Sequence, residues 1–167
     1  MIFVALGANL PGVDDRPARA TLEYAVERLK ELPHLHVHRL SRWYRTAPIP
    51  ASDQPDYVNA VVALVADPGI AVDPAVLLAA LMTIEAECGR IRGEANAART
   101  LDLDLIAIGS VIRHAPDPIL PHPRAHLRRF VMAPMADVAP DWIHPILGES
   151  AAALLAHLPP DGATVMP

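Results

Sequence analysis

Apolar and polar residues alternate with different periods along this chain, and the changes of period divide it into elements. Ile2 to Leu6 is a continuous apolar run that stops at the turn-prone Gly7-Ala8-Asn9, as a buried strand does. From Asp14 to Glu31 the period becomes helical. Leu22, Ala25, Val26 and Leu29 recur at three- and four-residue spacing, acidic residues stand near the start, and Pro33 closes the segment. Leu35, Val37 and then Leu40 to Tyr44 predict a second strand, which breaks in the proline-rich loop from Ala47 to Ser52. Tyr57 to Val65, rich in β-branched residues, predicts a third. Asp73-Pro74 has the form of an N-cap followed by proline at the first helical position, and that helix runs to about Cys88, where Gly89 ends it. Leu101 to Ile108 predicts a fourth strand.

The order β-α-β-β-α-β predicts an α+β fold, a ferredoxin-like antiparallel sheet with both helices on one face, to which the later residues add elements. Those additions are a proline-punctuated run from Pro116 to Pro123, a helical turn around Ala125 to Arg128, an apolar segment from Phe130 to Met135 and a small helix from Glu149 to Leu158. The tail from Pro159 to Pro167 reads as frayed.

Within the fourth strand, Asp102 and Asp104 interrupt the apolar alternation two residues apart, so both carboxylates leave the same face. Adjacent anions on a rigid strand repel and are costly to desolvate unless a hard cation such as Mg²⁺ takes their oxygens. The pair by itself also fits an edge strand with a wet polar face, a two-metal phosphoesterase or nuclease, or a ligand sensor without catalysis.

Composition narrows these alternatives. A chain of 167 residues with 52% hydrophobic and 20% charged residues can bury one sizeable core. Its net charge of -5 argues against general nucleic-acid binding, and its apolar runs are too short to cross a bilayer. One cysteine, Cys88, excludes an internal disulfide, and the amino terminus has no signal-peptide pattern, so a cytoplasmic protein is expected. Lys30 is the sole lysine, whereas Arg90, Arg92, Arg99, Arg113, Arg124, Arg128 and Arg129 crowd into the stretch that holds the aspartates. Guanidinium groups grip phosphate oxygens bidentately, which suits a polyphosphate ligand. No GxxxxGK[ST] loop is present. His34, His36 and His38 alternate on one strand face, but without an evident carboxylate or cysteine partner they do not read as a metal site. Tyr57 and Asn59 share a strand face, and an aromatic plane beside an amide suits a flat heterocycle, with Phe130 available as a second plane.

The motifs GANL at 7–10, YRTAP at 44–48, DQPDYVNA at 53–60, GRIR at 89–92, RTLDLDL at 99–105 and PHPRAHLRRFVMAPMADVAP at 121–140 resemble, in order and spacing, the hydroxymethyl-dihydropterin pyrophosphokinases of folate biosynthesis. The resemblance implies a single three-layer α/β/α domain over 1–167, acting as a cytoplasmic monomer on two small molecules, ATP and a hydroxymethyl dihydropterin, without nucleic-acid or membrane partners. It implies that Asp102 and Asp104 hold two Mg²⁺ ions and that Arg90 and Arg99 act on the transferring diphosphoryl group. Arg92, His122 and Arg128 support the ATP phosphates, with Glu85 and Leu105 near the nucleotide. The pterin stacks between Tyr57 and Phe130, its edge read by Asn59 and by the chain at Thr46 and Ile49. Ala8 stands where the family commonly has serine, the segment between Arg92 and Arg99 lacks the familiar tryptophan and proline, and Met82 replaces a glutamine.

Overall fold

The structure, a computed structural model, describes residues 1–48, 50–91, 98–160 and 162–167. Among the described residues, six strands form one antiparallel sheet. They are β1 (Ile2–Ala8), β2 (Leu35–Leu40), β3 (Tyr44–Thr46), β4 (Tyr57–Ala66), β5 (Asp102–Ile108) and β6 (Thr164–Val165). β4 lies between β1 on one side and, on the other, β2 along its second half and β3 along its first, while β5 flanks β1 and β6 flanks β3.

Four α-helices of the described residues cover the sheet: α1 (Ala18–Lys30), α2 (Pro74–Glu87), α3 (Arg129–Val138) and α4 (Ala151–His157). The alternation within β1 assigns them to faces. Ile2, Val4 and Leu6 pack with Leu22, Leu29, Leu77 and Leu81 of α1 and α2. Phe3 and Ala5 pack instead with Val131, Met132 and Met135 of α3 and Leu154 of α4. β1 therefore has to be apolar at every position, as its continuous run requires. Cys88 is buried in the first of these cores.

Three elements differ from the sequence expectation, each for a local reason. α1 begins at Ala18, not Asp14, because Pro17 forces Arg16 into extended backbone (φ -61°, ψ 126°) and separates off a 3₁₀ turn at Val13–Asp15. The second strand divides into β2 and β3 where the Ser41 hydroxyl, not a ladder carbonyl, accepts the Val61 N–H at 2.9 Å. The tail is not frayed throughout, since Thr164 and Val165 pair with Arg45 and Tyr44. α2 follows expectation, with Asp73 accepting from the N–H groups of Ala75 and Val76 at 2.8 and 3.3 Å and Pro74 in the first turn.

Candidate active site

β5 is the edge of the sheet among the described strands, and side chains and loops cover its outer rim. The N–H of Leu103 donates to the Glu85 carboxylate of α2 at 2.7 Å, and the Ile106 carbonyl accepts the N–H of His122 at 2.7 Å. Paired N–H and C=O groups of Arg113 and Leu120, at 2.8 and 2.9 Å, turn the chain so that it returns to β5 at His122. This places His122 alongside the aspartates. Leu103 and Leu105 point into the core under α1 and α2, while Asp102 and Asp104 face the opposite side.

On that side the sheet carries a cleft of about 780 Å³. Asp102, Asp104, Arg99, His122 and Arg128 line its charged half. Thr46, Tyr57, Asn59 and Phe130 line the other. Gly7 of β1 is the register partner of both Asn59 and Asp102, so it lies on the floor between the halves. A Cβ at Gly7 would approach the Asn59 side-chain oxygen to 3.2 Å, and the absent side chain keeps this floor open. Asn59 donates to the Thr46 hydroxyl at 2.9 Å, which fixes the amide with its oxygen toward Gly7.

Electrostatics separate the halves further. Burial and the facing charge of Asp102 push the Asp104 carboxyl above its ordinary value. Burial pushes the His122 imidazole and the Arg128 guanidinium down, and Arg124 lowers both further. Arg90 bridges Glu85 and Asp102, and Arg99 pairs with the other Asp102 oxygen. The Arg128 guanidinium lies 5.6 Å from the Phe130 ring centroid, linking the two halves.

Among the described residues, three that the sequence nominated do not line the cleft: Arg90, held behind it by Glu85 and Asp102, and Leu105 and Glu85, whose side chains point away from it. Leu105 is 4% exposed and buried on the opposite face, so only its backbone can border a ligand. Glu85 is also 4% exposed and engages Leu103 and Arg90. Ile49 and Arg92 lie outside the described residues. The imidazoles of His34 and His36 do have a carboxylate partner, contrary to the sequence reading. Asp67, just beyond the far end of β4, lies 3.1 and 2.6 Å from them. Hydrogen bonds from both imidazoles lower its pKa. The three are solvent-facing and distant from the cleft, and among the described residues no group of three or more His, Cys, Asp or Glu forms a metal cage.

The sequence reading gave no role to Asn9, which is 3% exposed. Its amide donates to Gln54 Oε1 at 3.2 Å and to the Pro55 carbonyl at 3.1 Å, while its oxygen accepts the N–H of Arg99 at 2.8 Å. One side chain thus ties the loop before β4 to the approach to β5. Its position in the GANL motif was visible in the sequence, but partners 45 and 90 residues distant were not.

The donor set fits Mg²⁺. Two carboxylates on one face are hard oxygen ligands, and Mg²⁺ commonly takes one or two carboxylates, completing its shell with phosphate oxygens and water. No third protein ligand is needed.

A family model described as 7,8-dihydro-6-hydroxymethylpterin-pyrophosphokinase (HPPK) matches residues 3–140. Similar relatives include the 2-amino-4-hydroxy-6-hydroxymethyldihydropteridine pyrophosphokinase of Synechocystis, 38% identical over 88% of this chain and 70% of that protein. The enzyme of the same name from Pseudomonas aeruginosa is 37% identical over 99% of this chain and 96% of its own. Among solved structures, wild-type Plasmodium falciparum HPPK-DHPS with STZ-DHP matches with a TM-score of 0.69 at 14% identity, covering 93% of this chain and 42% of that one. That likeness carries the fold alone.

Proposed function

Because the chain belongs to the 7,8-dihydro-6-hydroxymethylpterin-pyrophosphokinase family, it is a pyrophosphokinase of folate synthesis, and we propose that the cleft beside Asp102 and Asp104 is where its reaction runs. The enzyme transfers the β,γ-diphosphate of ATP to the hydroxymethyl group of 6-hydroxymethyl-7,8-dihydropterin, giving AMP and the pterin diphosphate. In our reading Asp102 and Asp104 would hold two Mg²⁺ ions. Bound there, Mg²⁺ supplies neutralisation of charge on the phosphate oxygens.

The chain's own residues account for positioning. Tyr57 and Phe130 flank the pterin ring, while Asn59, Thr46 and the chain at Ile49 read its polar edge. Asn59 suits this role because its amide group is already committed to Thr46, leaving its oxygen in a defined direction. Arg92, His122 and Arg128 hold ATP phosphates; the low imidazole pKa of His122 favours its neutral form, which can donate or accept. Arg90 and Arg99 rest on Asp102, within reach of the site where they would act on the transferring diphosphoryl group, and cations held by that carboxylate would supply the neutralising charge there. Glu85 keeps Arg90 in place from behind the cleft, and the chain at Glu85 and the backbone at Leu105 stand on the nucleotide side in our reading.

One observation carries this reading: both aspartates open onto the same cleft as Tyr57 and Asn59, with Gly7 between them. The sheet order β5-β1-β4-β2 supports reading the core as ferredoxin-like, and α3 and α4 over the second face support three layers. We also read 1–167 as one domain acting as a cytoplasmic monomer on small molecules alone; the single cysteine and the net charge of -5 support this. No described helix is long and apolar enough to cross a membrane.

The test is incubation with ATP, Mg²⁺ and the pterin alcohol, with products identified by mass. AMP and pterin diphosphate are expected from the unmodified chain, and neither from Asp102→Asn. Undiminished AMP release by a folded Asp102→Asn variant would overturn the site assignment, and simple ATP hydrolysis would indicate a phosphohydrolase.

A further inference from the structure

The family match ends at residue 140, yet residues well beyond it line the cleft. Leu158, Pro159 and Gly162 form part of its wall. Contacts at both ends hold this segment. On one side the Leu158 carbonyl accepts from the Arg129 guanidinium at 3.4 Å, and the Leu158 side chain packs on the same apolar cluster as Phe130. On the other, β6 pairs with β3, the strand that ends in Thr46, and the N–H of Met166 donates to the Trp43 carbonyl at 2.8 Å. The segment is therefore bracketed by Phe130 and Thr46, two residues of the acceptor half, and nothing in it adjoins the aspartates in sequence or pairing.

We propose that Leu158, Pro159 and Gly162, braced by β6, form a specificity wall for the pterin acceptor and set the width of the slot beside Phe130. This rests on the pyrophosphokinase reading of the cleft and adds to it a chain segment that the family motifs do not include. A wall of this kind contacts the ring and not the reacting oxygen, so its binding energy is the same in ground and transition states. Its removal raises KM and leaves kcat nearly constant.

Two variants test the wall: Leu158→Ala, which removes three side-chain carbons, and a chain ending at Gly162, which lacks β6. For Leu158→Ala the acceptor KM is expected to rise about tenfold, the ATP KM and kcat to stay within about twofold, and selectivity to shift toward a pterin bearing a bulkier edge substituent. Leu158→Met, of similar volume, is expected to restore acceptor KM. The chain ending at Gly162 is expected to show the same split in milder form. Should that shortened chain melt at the assay temperature, Leu158→Ala decides alone. Unchanged acceptor KM and selectivity in a folded Leu158→Ala variant would overturn the wall, as would equal loss for both acceptors and for ATP. The unmodified chain serves as control: if it releases no AMP with the pterin alcohol, the functional reading fails first, whereas normal turnover with insensitive variants refutes only the wall.

Discussion

Replacing Glu85 tests how the aspartate strand is held. This carboxylate, with its side chain 5% exposed, accepts the otherwise unpaired N–H of Leu103 at 2.7 Å and also pairs with Arg90. In Glu85→Ala the Leu103 N–H becomes a buried orphan, which costs about 1–3 kcal/mol. Arg90 keeps Asp102 as a partner, so its charge is not left unpaired and the lost interaction adds only about 1 kcal/mol. The sum is about 2–4 kcal/mol, equivalent in a chain of this length to a melting temperature lower by roughly 5–15 °C. Glu85→Gln preserves an acceptor for Leu103 but turns an amide toward a guanidinium, and about half that loss is expected. Thermal melts and urea titrations of both variants measure the difference. A melting temperature for Glu85→Ala within about 1 °C of the parent would refute the anchoring role. The same variants weigh this role against direct nucleotide contact: if Glu85→Gln weakened ATP binding more than about tenfold with stability intact, the carboxylate would be chiefly a ligand for the nucleotide.

Other expectations follow from the same geometry. Thr46→Val strands the buried Asn59 amide, so a loss of about 1–3 kcal/mol in stability, accompanied by a higher acceptor KM, is expected in melts and initial-rate assays. An unchanged acceptor KM would mean that Asn59 is oriented without Thr46. Burial and the neighbouring His126 lower the pKa of His144 below its ordinary 6.5. The unfolded chain therefore takes up this proton first, and the stability His144 contributes is complete above about pH 6.5 and lost as pH falls below it, by at most about 1.4 kcal/mol per unit. His144→Asn, which keeps an acceptor for the Ile146 and Leu147 N–H groups, should flatten that slope in urea titrations between pH 5 and 7. An identical slope would assign the dependence to other groups.

What could be read in advance depended on the distance over which each constraint acts. The common face of Asp102 and Asp104, and that of Tyr57 and Asn59, follow from the two-residue period of a strand, which holds whatever the chain packs against. The cap at Asp73 is equally local. The start of α1 was also encoded, by Pro17, but the acidic residues before it drew the helix too far back. Other features come from partners that only folding brings together: Asn9 joining Gln54 to Arg99, Glu85 closing the edge at Leu103, and Asp67 reaching His34 and His36. The tail illustrates this too. Thr164 and Val165 are a strand only because β3 offers them an unpaired edge.

The central claim is that Asp102 and Asp104 gather divalent ions for the nucleotide tail, and Mn²⁺ binding read by electron paramagnetic resonance, with a non-reactive ATP analogue present, tests it most directly. The unmodified chain is expected to bind two ions that Mg²⁺ displaces, and Asp102→Asn/Asp104→Asn to lose them while its melting curve stays cooperative. The same number of ions bound with the same affinity in the double variant would contradict it.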